Sequence, residues 1–154
     1  MTPDVPPATT LDAALERAGI ALPADQRRQL ADYCARLWDW NEKLNLTRHT
    51  TFDLFVDRDV VDALRVAEAL EPIEQRVLDV GSGGGVPGII LAIMRPELDV
   101  TLSESMAKKA RVLEDIVQGI PTFIPPMVRK MMAKNPESRY QHAGELLDDL
   151  RGAL

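Results

Sequence analysis

One stretch constrains this chain more than any other: Arg76-Val-Leu-Asp-Val-Gly-Ser-Gly-Gly-Gly-Val-Pro-Gly88. Val77, Leu78 and Val80 form a short apolar run with β-branched members, closed by glycine, which predicts a buried strand. Five of the next eight residues are glycine (81, 83, 84, 85 and 88). Without Cβ atoms the backbone turns tightly and a ligand can approach the main chain. Pro87 suits the first turn of a helix, where its missing N–H would have had no partner. Ile89, Ile90, Leu91, Ile93 and Met94 continue that helix as a largely buried element. Strand, glycine turn and helix start read together as a ligand cradle, with main-chain N–H groups facing an anionic or polar group.

Gly83, Gly85 and Gly88 satisfy Gly-x-Gly-x-x-Gly, a weak signal that by itself points to a dinucleotide. Two acidic residues redirect it. Asp79 lies two residues before the first glycine, where it would repel a pyrophosphate. Glu104 closes the next apolar run (Leu98, Val100, Leu102), 25 residues after Asp79, where a carboxylate can take both hydroxyls of a ribose. A ligand with a sugar and a cationic centre but no phosphate fits this charge pattern, and S-adenosylmethionine is such a ligand. The alternatives are a nicotinamide-dependent oxidoreductase, against which Asp79 weighs, and a glycine loop that binds nothing.

The residues around the loop extend the pattern. The run from Arg76 to Ile93, then Arg95-Pro96, then Thr101-Leu-Ser-Glu-Ser-Met-Ala-Lys-Lys-Ala-Arg-Val-Leu113, closely resembles the bacterial ribosomal RNA small-subunit methyltransferase G family. That family is also called glucose-inhibited division protein B. Upstream, Trp40-Asn41, Lys43-Leu-Asn-Leu-Thr-Arg48 and the segment from Arg58 to Leu64 resemble its N-terminal half, so the likeness covers roughly residues 10–118. It implies an α/β fold: a truncated Rossmann-like S-adenosylmethionine-dependent methyltransferase with an N-terminal helical region and a C-terminal helical tail. The implied organisation is a helical region over 1–70, a partial cofactor-binding unit over 71–118 and the tail over 119–154.

The implied activity is methyl transfer from S-adenosylmethionine to N7 of a guanine in 16S rRNA. Asp79, Gly81, Ser82, Gly83 and Gly85 would hold the methionine part and Glu104 the ribose. Lys108, Lys109 and Arg111 would face the RNA, with Arg48 and His49 together a second candidate, because a few cations suffice where phosphate contacts set position. Lys108, Lys109 and Arg111 are otherwise ordinary solvated cations. N7 carries no proton, so alignment matters more than a base, and no catalytic side chain is assigned. The family's usual Arg-His-x-x-Asp-Ser is matched by Arg58 and Asp62, whereas Asp59 stands for the His and Ala63 for the Ser. The set Asp57, Arg58, Asp59 and Asp62 otherwise reads as a solvated helix face.

Composition sets outer limits. At 154 residues the chain is one domain by length, and two His with one Cys offer no metal-ligand cluster. A lone Cys34, no N-terminal signal and no long apolar run make the cytoplasm the default location and a membrane no partner. A net charge of −6 argues against a general nucleic-acid coat but leaves room for a local basic patch.

In order, Leu11, Ala14, Leu15 and Ala18 predict a short helix stopped at Gly19, and Pro23 opens a longer one to about Leu44. Cys34 lies on its apolar stripe as a buried hydrophobe, and Trp38 and Trp40 read as packing contacts rather than base-stacking surface. Thr50 and Asp53 match a capping box opening a helix to about Leu70. Strands are expected at 75–80 and 98–103, then a helix from Met106 to Gln118.

Beyond Gln118 the likeness stops, and residues 121–154 resemble the last two helices of a bacterial Ser/Thr protein kinase C-lobe. Met127 to Lys134 would be a short helix, and Ala143, Leu146, Leu147, Leu150 and Leu154 the stripe of a final one. His-Arg-Asp and Asp-Phe-Gly are both absent, which excludes kinase activity. Two function classes follow: a methyltransferase weakened or inactivated by a missing second half, or a non-catalytic fusion fragment acting as a cofactor-binding or interaction module.

Overall fold

The structure, a computed structural model, describes residues 6–73 and 76–120 together with the backbone of 127–129. Helix α1 (Leu11–Arg17) starts at Thr10, whose side chain accepts a hydrogen bond from the Ala13 N–H, and it buries Leu11, Ala14 and Leu15. Helix α2 (Ala24–Asn41) turns Leu30, Tyr33, Cys34 and Leu37 inward at helical spacing. The next helical rod has three parts: α3 (Phe52–Leu54), a π-helical stretch (Phe55–Val60) and α4 (Val61–Ala69). Its cap is Thr51, whose hydroxyl accepts from the Leu54 N–H at 3.3 Å, not Thr50. Asp53 is drawn out of the expected capping box because its carboxylate takes the Ala8 N–H at 2.7 Å and Arg17 at 3.4 Å.

Strand β1 (Arg76–Val80) leads through the glycine loop into α5 (Gly88–Met94), then β2 (Asp99–Ser103) and α6 (Ala107–Gln118). β1 and β2 run parallel with Asp79 opposite Leu102 and Val80 opposite Ser103. A third strand, β3 (Met127–Arg129), pairs in parallel with the other side of β2. Two expectations are thereby corrected: Met127–Arg129 is strand rather than helix, and the sheet has at least three strands rather than two. The final helix predicted over Ala143–Leu154 lies outside the described residues.

The core gathers where α2, the π-helical stretch, α5, β2 and α6 meet. Tyr33, Leu37, Phe55, Ile89, Ile90, Leu102, Leu113 and Ile116 are all fully buried there. β1 is exposed at both ends and half-buried between, whereas β2 buries Val100, Leu102 and Ser103. The two tryptophans are packing residues: Trp38 lies against Phe52 with ring centroids 5.0 Å apart, and the Trp40 Nε1–H donates to Asp115 at 2.8 Å. Trp40 thereby ties α2 to α6. Arg95 closes the far end of α5, donating to the carbonyls of Ala67 and Glu71, each at 2.9 Å.

Candidate functional site

The glycine loop is a knot of internal hydrogen bonds at the tips of β1 and β2. The Ser103 carbonyl accepts from both Gly81 and Ser82 main-chain N–H groups, at 2.7 and 3.0 Å. The Ser82 hydroxyl donates to the Asp79 carbonyl at 3.0 Å and accepts from the Ser103 N–H at 3.1 Å. The Gly85 N–H turns back onto the Ser82 carbonyl at 2.6 Å. Gly81, Gly83 and Gly85 have φ of 81°, 56° and 103°, a region a side chain strains to enter. A Cβ on Gly81 would meet nothing within 4 Å, so bare main chain faces open space there.

Both predicted acids converge on this one loop. An Asp79 Oδ2 accepts from the Gly88 N–H at 3.1 Å and so caps the start of α5. Glu104, buried one residue past the β2 tip, accepts from the Gly83 N–H at 3.0 Å and the Met106 N–H at 2.8 Å. Burial pushes the Asp79 carboxyl up from its ordinary range, against the opposing pull of Ser82 and the Gly88 N–H. A Cβ on Gly88 would lie 2.6 Å from the Asp79 carboxylate and would run into Leu102.

These bonds correct one part of the cradle picture. The N–H groups of Gly81, Ser82, Gly83, Gly85 and Gly88 are all engaged within the protein, and a carboxylate already occupies the α5 start. What the loop offers is bare carbonyl-rich backbone and two carboxylates with lone pairs to spare, suited to a cationic, hydroxyl-bearing ligand. A pyrophosphate would meet the Asp79 charge and no free donors among these five groups.

Three residues behind the loop escaped the sequence analysis as site residues. The buried Tyr33 hydroxyl donates to the Gly84 carbonyl at 3.0 Å. Asn41 takes the Leu46 and Thr47 N–H groups on one side-chain oxygen, at 2.7 and 2.9 Å, and so shapes the connection that lays Leu46 on Gly84. Asp59, expected on a solvated face, is 6% exposed and bonded to His49 at 2.7 Å. Asp57, Arg58 and Asp62 on the same stretch are exposed as expected.

Of the four cations expected to face RNA, Lys108 and Arg111 are exposed and Lys109 half-buried at the start of α6, just past Glu104. Arg48 is exposed on the connection after α2. None of the four has an ion-pair partner among the described residues. A groove of 650 Å³ lies elsewhere, between α1, α2 and Phe52, with Arg27, Arg28 and Trp38 on its walls and none of the predicted site residues. Among the described residues no group of His, Cys, Asp and Glu is placed to hold a metal ion, and no helix is long and apolar enough to cross a membrane.

Residues 26–141 match the family model for rRNA small subunit methyltransferase G. The ribosomal RNA small subunit methyltransferase G of Rhodopirellula baltica is 49% identical over 112 residues, 73% of this chain and 48% of that protein. The protein of the same name from Roseiflexus castenholzii is 38% identical over 127 residues, 80% of this chain and 54% of its own length. That of Bordetella avium is 32% identical over 139 residues, 87% of this chain and 61% of its own. The chain thus spans about half the length of the first two of these curated relatives. The family match crosses the boundary drawn at Gln118 and takes in β3, so much of the segment compared with a kinase lies inside it.

Proposed function

The chain belongs to the rRNA small subunit methyltransferase G family, and from that premise we propose that it binds S-adenosylmethionine in the glycine cradle and directs its methyl group to N7 of a guanine in 16S rRNA, with the cytoplasm as its place of action. The observation that carries the reading is the convergence of Asp79 and Glu104, from neighbouring strand tips, on the two ends of one glycine loop. S-adenosylmethionine fits what is present: its amino and hydroxyl groups need acceptors, and the loop is bare at Gly81.

When bound, this cofactor supplies an electrophilic methyl group on a positively charged sulfur. Asp79 and the carbonyls of the Gly81–Gly85 turn would hold the methionine part, with Ser82 keeping the turn closed on β2. Glu104 would accept the ribose hydroxyls while its bond to Gly83 sets the loop at the right height. Lys108, Lys109 and Arg111, together with Arg48, would take RNA phosphates. Both lysines sit in the first turn of α6, where the helix dipole disfavours cations, so the helix itself gains nothing from them. N7 of guanine carries no proton, so the chain's task is to align nucleophile and methyl group and to exclude water.

A second reading is a cofactor-binding or interaction module without turnover. Isothermal calorimetry with S-adenosylmethionine tests the first. Micromolar binding that Asp79→Ala abolishes supports it, and absent or millimolar binding overturns it. Transfer of labelled methyl to 16S rRNA then separates enzyme from module.

A further inference from the structure

Asp59 is a buried carboxylate that the methyl-transfer reading leaves unused. It sits in the π-helical stretch, a distortion that recurs at functional sites. One oxygen bonds the His49 Nδ1 at 2.7 Å, and the other is buried with no hydrogen-bond partner among the described residues. A carboxylate so far from water needs a positive neighbour. The groups that face it are His49, Asp62 on its own rod, and Tyr33 and Cys34 from α2. Asp62 is acidic, and burial holds the Tyr33 and Cys34 protons on, so His49 is the one group of this set able to carry positive charge.

The main chain at His49 is fixed on two sides. Its N–H donates to the Thr47 hydroxyl at 3.0 Å, and its carbonyl accepts from the Trp38 indole at 2.9 Å. Three residues back, Leu46 rests on Gly84 of the cofactor loop. With Nδ1 committed to Asp59 and the side chain 34% exposed, Nε2 is the edge left for a ligand. Arg48, exposed and without an ion pair among the described residues, is its chain neighbour.

We propose that His49 is a phosphate ligand on the RNA side of this site, its imidazolium oriented and charge-balanced by Asp59, with Arg48 as the second donor to the same backbone. The inference rests on the RNA reading above. Imidazolium and guanidinium N–H groups give charge-assisted hydrogen bonds to phosphate oxygens, and Asp59 makes the donor geometry independent of solvent.

The test uses the full chain and a synthetic RNA hairpin of 16S rRNA sequence, with affinity followed by fluorescence anisotropy against salt. His49→Asn keeps an amide donor for Asp59 but removes Nε2, so it separates the phosphate contact from the structural bond. We expect His49→Asn to bind the hairpin about tenfold more weakly than wild type. Its salt slope should also fall by about one. Imidazole nitrogen NMR of the wild-type chain, which has two histidines, should show the His49 Nε2 signal moving on RNA addition. A His49→Asn protein with the wild-type affinity and salt slope overturns the proposal, as does a His49 signal blind to RNA. A wild-type chain that binds no RNA overturns the substrate reading as well, which tells the two failures apart.

Discussion

Cys34 and Asp79 show how burial at a single residue sets chemistry. Cys34 is fully buried, and desolvation, with the Asp59 charge behind it, pushes its thiol up to about 12. The thiolate is the reactive form, so native protein at pH 8 should resist iodoacetamide and label only after unfolding in guanidinium. Labelling of the native chain at the rate of a free cysteine would contradict that. Asp79 is raised by burial more than its bonds to Ser82 and Gly88 lower it. The folded protein therefore holds that proton more tightly than the unfolded chain. Its contribution to stability is complete below the ordinary carboxylate value of 3.8 and is lost as pH rises through the folded value, so at pH 7 the charge is a cost. Asp79→Asn should melt at a higher temperature at pH 7 while binding S-adenosylmethionine at least about tenfold more weakly. A variant that both melts lower and binds normally would reverse the assignment. Asp79 and Glu104 were legible because a carboxylate at each strand end repels a pyrophosphate and can take amino or ribose hydroxyl groups. Asp59 stands at helical spacing from Phe55 and Ala63, on the apolar stripe, but a charged residue beside Asp57, Arg58 and Asp62 reads as solvated, and its His49 partner comes from the connection before the rod.

At the scale of elements, helix ends and the loop depend on partners that lie far along the chain. Thr50 and Thr51 are equally good caps by sequence, and the choice falls to Thr51 because Asp53 is claimed by Ala8 and Arg17. Thr51→Ala should cost about 1 kcal/mol, read as a fall of about 2–4 °C in melting temperature, whereas Thr50→Ala should be nearly silent. Tyr33 was legible as a member of the α2 stripe, but its hydroxyl partner is 51 residues away. Tyr33→Phe leaves the Gly84 carbonyl without that donor, at about 1–2 kcal/mol. If the bond also steadies the cradle, calorimetry on the same variant will show weaker cofactor binding, and unchanged affinity would confine Tyr33 to packing.

For the whole molecule, the alkaline side of the stability curve reports on the α2 core. Tyr33 and Cys34 both release their protons later in the folded state than in the unfolded chain, chiefly through burial. Such groups contribute fully below their unfolded values and lose that contribution as pH climbs toward the folded ones. For Cys34 the window runs from about 9 to about 12. Chemical denaturation should therefore show stability falling across that range, with a shallower slope in Cys34→Ala; equal slopes would rule the thiol out. The sheet gives a different lesson at this scale. Residues 127–129 carry a Met-Val-Arg triplet that suits helix or strand alone, and only pairing with β2 decides for strand.

By itself the sequence determined the strand–glycine–helix unit, the stripes of α1 and α2, the helix after β2, and the two acids at neighbouring strand ends, because local periodicity and missing Cβ atoms act over a few residues. Tertiary structure decided the rest: which threonine caps, that Asp59 goes inward to meet His49, that the loop N–H groups are spent inside the protein, and that a third strand closes on β2. Each of these depends on a hydrogen-bond or strand partner supplied by the folded chain rather than by local periodicity, and a buried polar group takes whichever partner the packed chain brings within reach.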